Sequence, residues 1–326
     1  MNYRTLGKTG FRVSEISLGT WQVGGKWGEP FSHENADHIL NAALDAGVNF
    51  IDTADVYGES EKAVGRVVRA RAERVYVATK CGRQLSPHVN QSYTPVALRQ
   101  FVENSLTNTG LDTLDLIQLH CPPTEVYYRP EIFEVFDRLQ EEGKIQHLGV
   151  SVEKVEEGLK AMEYPNVTTV QIIFNMFRQR PAELFFQEAT RRNLGVIVRV
   201  PLASGLLTGK FRPETNFAPQ DHRNFNRNGE AFDQGETFSG LDYDTGLAAV
   251  EELKKLFPGQ ENLAAVALRW ILMFPAVSCI IPGASNPGQL TSNLQAAALP
   301  ELTPDQLAGV KAIYDARVKP LVHARW

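Results

Sequence analysis

"TPVALRQFVENSLTNTGLDTLDLIQLH", residues 94–120, holds a whole structural unit in one line. Thr94 offers a side-chain acceptor to a helix start, Pro95 sits where its missing N–H costs nothing, and Gly110 supplies the stop. The run that follows, 114–120, is apolar with little alternation. Such a strand is buried on both faces, as in a parallel sheet.

The unit recurs. Strands are expected at 14–20, 48–52, 74–80, 114–120, 145–151, 168–174, 195–201 and 278–283. "HENADHILNAALDAG" sets Ala36, Ile39, Leu40, Ala43 and Leu44 on one stripe and stops at Gly47. "RPEIFEVFDRLQEEG" repeats the proline start and glycine stop with Pro130 and Gly143, and "SNPGQLTSNLQAAAL" follows the last strand. Eight β-then-α steps read as a (β/α)8 TIM barrel, expected to occupy residues 1–326 as one domain. "YRTLGKTGFRV" reads as an N-terminal β-hairpin turning at Lys8 to Gly10. After the seventh strand comes a long polar loop, "TGKFRPETNFAPQDHRNFNRNGEAFDQGETFSGLDYD", of a length that compact domains keep for functional lids. Two extra helices, "TGLAAVEELKKLF" and "ENLAAVALRWILMF", follow it.

Composition narrows the partners. Of 326 residues, 43% are hydrophobic and 22% charged, enough apolar matter for a sizeable core. A net charge of −5 and a pI near 5.9 argue against nucleic acid and anionic membrane as partners. Cys81, Cys121 and Cys279 are widely spaced with no CxxC, so neither a disulfide framework nor a metal site is expected. "MNYRTLGKTGF" lacks the apolar core of a signal peptide, and "LAAVALRWILMF" is too short to span a bilayer. A cytoplasmic protein is expected. The sequence carries no signal for an oligomeric state.

In a barrel, chemistry belongs at the C-terminal ends of the strands. Those ends carry Trp21, Asp52, Lys80, His120, Ser151, Gln171 and Arg199, with Tyr57 on the loop after the second strand. Taken singly, Asp52 reads as a helix cap, Tyr57 as a packed ring, Lys80 as a solvated charge and His120 as a rim histidine. Together they are four coincidences at one mouth. No G-x-G-x-x-G follows any strand, so a Rossmann dinucleotide site is not expected. The remaining anion site of a barrel lies after strands seven and eight, where "GASNPG" opens a helix with Ser285 or Asn286 as cap and Pro287 in its first turn.

The pieces "GVNFIDTADVYGESEKAVG", "VYVATK", "LDLIQLHCP", "LGVS", "VPLASGLLTGKF" and "IPGASNPGQLTSNL" give the chain its likeness. In their order and spacing it resembles the aldo-keto reductase family over essentially its whole length. The resemblance implies a catalytic tetrad of Asp52, Tyr57, Lys80 and His120, reducing a small-molecule carbonyl with hydride from NADPH, or from NADH. It implies Pro201, Leu202, Ser204, Gly205, Leu206 and Lys210 around the pyrophosphate. Gly283, Ser285, Gln289 and Asn293 would hold the adenosine end, and Thr20, Trp21, Ser151, Gln171 and Arg199 the nicotinamide end.

Physics agrees with the tetrad. A carbonyl that accepts hydride needs a proton, and a phenol of pKa about 10 gives one up only when its anion is stabilised. A lysine beside it, held by a carboxylate, supplies that, while a histidine hydrogen-bonds the carbonyl oxygen.

Three departures from the family pattern stand out. Val152 follows Ser151 where many relatives have asparagine. Arg199 replaces an aromatic ring, and its charge is expected to repel oxidised nicotinamide. No cation lies between Gly283 and Asn293, which leaves Arg212 or Arg223 to meet a 2′-phosphate.

Substrate contacts are expected from Trp21, Trp27, Arg83, His88, His120, Tyr127, Tyr128, Arg325 and Trp326, a mixture suited to a polar or sugar-like aldehyde. The alternative is a nucleotide-sensing subunit with little turnover, similar to channel-associated members of the family.

Overall fold

The computed structural model describes residues 1–25 and 30–326; Trp27 lies outside the described residues. Two short antiparallel strands, β1 (Tyr3–Thr5) and β2 (Arg12–Ser14), form the expected hairpin. Eight parallel strands then follow in chain order: β3 (Leu18–Gly19), β4 (Phe50–Asp52), β5 (Tyr76–Cys81), β6 (Leu114–His120), β7 (Ile145–Ser151), β8 (Val167–Ile173), β9 (Gly195–Arg199) and β10 (Cys279–Ile280). Each pairs with the next, and the bridges Ile16–Ile280 and Gly19–Gly283 bring the ends of the sheet together. This is the (β/α)8 barrel.

The helix of residues 94–120 forms as its sequence directs. Thr94 Oγ1 accepts from Ala97 N at 3.2 Å, Pro95 opens the helix, and Gly110 closes it in the left-handed region at φ 65°. Every residue of β6 is buried, because helices cover the outside of the barrel and side chains fill the inside.

Strand ends differ from the expected ranges for physical reasons. The first strand shortens because Ser14 completes the hairpin and its amide goes to Asn49 Oδ1 at 2.7 Å. The seventh stops at Arg199: Val200 turns to φ 50°, and Pro201 has no N–H to offer the ladder. The long polar stretch folds into short helical turns, including His222–Phe225, before the two extra helices Tyr243–Leu256 and Leu263–Leu272. Among the described residues, no helix is long and apolar enough to cross a membrane.

The hairpin closes the floor of the barrel. Leu6, Phe11 and Val13 pack with Phe50, Leu116 and Ile197, and Phe11 stacks on Tyr76 at a 4.3 Å centroid separation. Leu6 is fully buried. Leu6→Ala is therefore expected to cost about 2–5 kcal/mol of unfolding free energy, the range for truncating a buried leucine. Urea titration checks this, and a loss below about 1 kcal/mol would show that the floor tolerates the void.

Candidate active site

A buried ion pair stands at the centre of the barrel mouth. Asp52 ends β4 and Lys80 lies near the end of β5; the lysine donates to Asp52 Oδ2 and, at 2.9 Å, to the Thr53 carbonyl. The other carboxylate oxygen accepts from Gln118 Nε2 at 2.9 Å and Gln171 Nε2 at 2.8 Å. Asp52 is therefore no helix cap. The two glutamines also meet each other, Gln171 donating to Gln118 Oε1 at 3.0 Å. Gln118 was not among the expected residues, though its position two before His120 on β6 puts both on the inward face.

Tyr57 sits over this pair. Its turn is pressed against Gly24, where an added Cβ would lie 1.6 Å from the Tyr57 carbonyl oxygen, and Gly58 holds φ 57° against the same segment. A relay of hydroxyls ties the turn to the strand: Thr53 donates to Ser60, Ser60 to Thr20, and Thr20 to the Asp52 carbonyl, at 2.7–2.9 Å. The ammonium of Lys80 lies 4.9 Å from the Tyr57 ring centroid. Burial raises the phenol pKa; Lys80 pulls it down without overcoming that, so the phenol stays protonated. Lys80 itself is held above its ordinary value, because Asp52 and Tyr57 outweigh the burial that lowers it.

His120, at the end of β6, faces Tyr57 edge-on at 5.9 Å. Burial, then Arg83 and Lys80, keep its pKa well below the ordinary value, so the ring is neutral at pH 7. Its Nδ1 is buried without a hydrogen-bond partner among the described residues.

A cavity of about 1150 Å³ runs from these groups along the mouth. Near the tetrad it is bordered by Thr20, Trp21, Asp52, Tyr57, His120 and Gln171. Further along come Arg199, Pro201, Leu202, Ser204, Gly205 and Lys210, and at the far end Gly283, Ser285, Gln289 and Asn293. The far end is the start of the helix Pro287–Leu294, where Asn286 is the cap, accepting from Gln289 N at 3.0 Å. The Ser285 amide is already taken by Gln289 Oε1 at 2.8 Å, so fewer amides are free there than the motif suggests.

Several expected residues lie elsewhere. Tyr127 is fully buried, its hydroxyl 3.4 Å from the Ser151 carbonyl, because the turn Thr124–Tyr128 folds that ring into the core. Arg325 is exposed, bonded to Gln234 Oε1 at 2.6 Å and stacked on Trp326, away from the cavity wall. Leu206 turns into the core, and Ser151 is buried beneath Gln171 at 3.5 Å rather than on the wall. Gln171 spends its amide donors on Asp52 and Gln118, and its carbonyl oxygen, which accepts weakly from Ser151 at 3.5 Å, keeps one acceptor position for a ligand. His88 pairs with the Tyr93 hydroxyl at 2.9 Å, and Tyr128 is exposed.

Arg199 is not the free cation its sequence position suggests. Its guanidinium donates to Glu153 Oε2 at 2.9 Å and the Val152 carbonyl at 3.0 Å, and lies 3.6 Å from Glu236. The expected repulsion of an oxidised ring is therefore offset by neighbouring carboxyl groups. Cys121, Glu153 and Glu236 bring ligand atoms within 4.8 Å of one another, yet Arg83 and Arg199 already hold those carboxyl groups.

Two outcomes follow from this geometry. Asp52→Ala strands a buried ammonium and is expected to cost about 3–5 kcal/mol in a denaturant titration. His120 takes up a proton in the unfolded chain below pH 6.5 but not in the folded one. Stability should therefore fall as pH drops from 7 to 5, and His120→Asn should remove up to about 1.4 kcal/mol per pH unit of that slope. An unchanged slope would mean that His120 is charged in the folded protein.

Similarity to known proteins agrees with this barrel. The family model described as "Aldo/keto reductase family" matches residues 15–315. The chain is 32% identical over 301 residues to aldo-keto reductase YhdN of Bacillus subtilis (strain 168), covering 89% of this chain and 87% of that one. It is 26% identical to a probable voltage-gated potassium channel subunit beta of Oryza sativa subsp. japonica, covering 98% of each. Among solved structures, a glycerol dehydrogenase from Gluconobacter oxydans aligns with a TM-score of 0.79 and 30% identity, covering 97% of this chain and 96% of that one. A family match that spans nearly the whole chain, on a barrel of eight parallel strands, means that this protein belongs to the aldo/keto reductase family.

Proposed function

We propose that the protein is an NADPH-dependent reductase of small, polar, sugar-like aldehydes or ketones. Family membership carries the coarser part, an oxidoreductase for NAD(P)H-dependent carbonyl reduction. The observation that carries the rest is the lysine held by Asp52 beneath Tyr57, next to a neutral His120, at one end of an elongated cavity. At about 1150 Å³ the cavity exceeds the usual range of ligand pockets, roughly 300–1,000 Å³, and so has room for a dinucleotide and a small substrate.

The residues fit such a coenzyme. One end of the cavity is a capped helix start with a glycine, Gly288, in its first turn, and Lys210 and Arg223 border the same space. Arg223 is already paired with Asp221, whereas Lys210 has no ion-pair partner among the described residues; that lysine supports a 2′-phosphate, hence NADPH over NADH. When bound, the reduced nicotinamide supplies the hydride.

The chain's own groups do the remaining work. His120 donates a hydrogen bond to the substrate carbonyl oxygen and fixes its direction. Tyr57 delivers its proton to that oxygen as negative charge develops there. Lys80 stabilises the phenolate left behind, and Asp52, clamped by Gln118 and Gln171, keeps the ammonium in place. The desolvated phenol keeps its proton until the substrate needs it.

Polar residues on the cavity wall favour a hydroxylated substrate over a steroid, and similarity to a glycerol dehydrogenase lends weight to a small one. Three buried free cysteines suit a reducing, cytoplasmic setting.

The test is NADPH consumption with a panel of small aldehydes. Tyr57→Phe should lose on the order of 10²–10⁴-fold in kcat while still binding coenzyme. Near-normal turnover would refute the proton-donor role. Tight coenzyme binding by the parent with no multiple turnover on any carbonyl would favour the nucleotide-sensing alternative.

A further inference from the structure

Four ionisable side chains from four separate segments meet beside Tyr57 and His120. Arg83 follows β5, Glu153 follows β7, Arg199 ends β9, and Glu236 comes from the long segment after β9. Arg199 reaches Glu153 at 2.9 Å and Glu236 at 3.6 Å; Arg83 reaches Glu236 at 3.0 Å and Glu153 at 3.6 Å. A cluster of this kind is costly to bury and adds little stability over an apolar substitute, so its presence calls for a use.

The backbone is strained to build it. Val200, a β-branched residue, adopts φ 50°, and Phe238 and Ser239 adopt φ 52° and 59°. One side chain holds both strained segments: Asn175 Nδ2 donates to the Val200 carbonyl and to Ser239 Oγ, each at 2.9 Å. Ser204 Oγ fixes Glu236 itself, donating to its carbonyl at 2.9 Å. Such strain persists where the surrounding structure over-determines it, commonly at ligand sites.

Of the four groups, Arg199 and Glu236 border the cavity that Tyr57 and His120 also border. Arg199 commits Nη2 to Glu153, the Val152 carbonyl and Cys121, and its buried Nε has no hydrogen-bond partner among the described residues. Glu236 differs. A carboxylate has about four acceptor positions, and Arg83 takes one of them in a hydrogen bond. Burial and then Glu236 raise the Glu153 pKa to about 8, so the two neighbouring carboxyl groups hold one proton between them near neutral pH. The two guanidinium groups keep Glu236 ionised despite its burial. The cavity wall thus presents an ionised carboxylate with spare acceptor capacity close to the proton donor. On another part of the wall, Trp21 and His222 form an aromatic surface, with ring centroids 4.9 Å apart.

We propose that Glu236 is a specificity-determining residue that accepts a hydrogen bond from a hydroxyl next to the substrate's carbonyl carbon, so that the site selects α-hydroxy aldehydes and ketones. This rests on the reductase reading and names the feature by which that site chooses its substrate. An alkanal without the hydroxyl leaves the desolvated carboxylate short of a partner. A substrate carboxylate in the same place meets an anion.

The experiment compares kcat/KM for glyceraldehyde and propionaldehyde with NADPH. Glyceraldehyde should be favoured roughly 10- to 100-fold, the scale of a hydrogen bond to a charged group. In Glu236→Gln that ratio should fall at least about fivefold, mostly through KM for glyceraldehyde, given the loss of the charge-assisted bond. The ratio is internal to each preparation and is unaffected by the folded fraction.

If the variant does not fold, the parent protein decides through inhibition. 1,2-Propanediol should compete with the aldehyde at least about tenfold more tightly than 1-propanol. Equal use of the two aldehydes, equal inhibition by the two alcohols, or preference for glyoxylate would overturn the proposal. An active Glu236→Gln with an unchanged ratio would do the same. No turnover of any carbonyl would instead sink the reductase reading itself.

Discussion

The Asp52–Lys80 pair is the constraint on which the site depends. A carboxylate and an ammonium, both almost fully buried, survive at the end of two strands only because further hydrogen bonds replace the lost water. Gln118 and Gln171 supply those bonds to one side of Asp52, and the Thr53 carbonyl supplies one to Lys80. In the parallel register Asp52 lies across from Ala78 and Lys80 from Gln118, so the inward polar groups of consecutive strands are staggered by two residues, and the tilt of barrel strands brings them together. The pair therefore stabilises little on its own account. It sets where a charge stands relative to Tyr57.

Tyr57 shows how a barrel positions a loop residue with strand-like accuracy. The backbone contact between Gly24 and the Tyr57 turn admits no side chain, and the Thr20–Ser60–Thr53 hydroxyl relay locks the same turn onto the strand. The phenol remains above its ordinary pKa. A proton donor that keeps its proton until charge appears on the substrate is suited to reduction, where the alkoxide forms in the transition state.

The far side of the mouth is built differently. There the positioning comes from strained backbone at Val200, Phe238 and Ser239 and from the single amide of Asn175. Strain of this kind costs about 1–3 kcal/mol per residue, which the large apolar core around it has to offset. Rigid strands carry Asp52, Lys80 and His120, while the segment after β9 carries Glu236, the residue proposed to distinguish one substrate from another.

How far the sequence went follows from the range of each interaction. The run 94–120 determined a helix and a buried strand, because caps, glycine stops and apolar patterning act within a few residues, and eight such units imply a barrel. Strand ends named Asp52, Lys80 and His120 for the same reason, since alternation fixes which side chains face inward. The tertiary structure alone decided the rest. Gln118 turned out to clamp Asp52, Tyr127 went into the core, and Arg325 paired with Gln234 outside the cavity. Arg199 looks like a lone cation in one dimension and is a member of a cluster of four ionisable groups in three, because Arg83, Glu153 and Glu236 come from segments up to 153 residues apart. Local physics fixes elements and facing. Which charges neutralise which depends on contacts between distant segments, and those exist only once the barrel has closed.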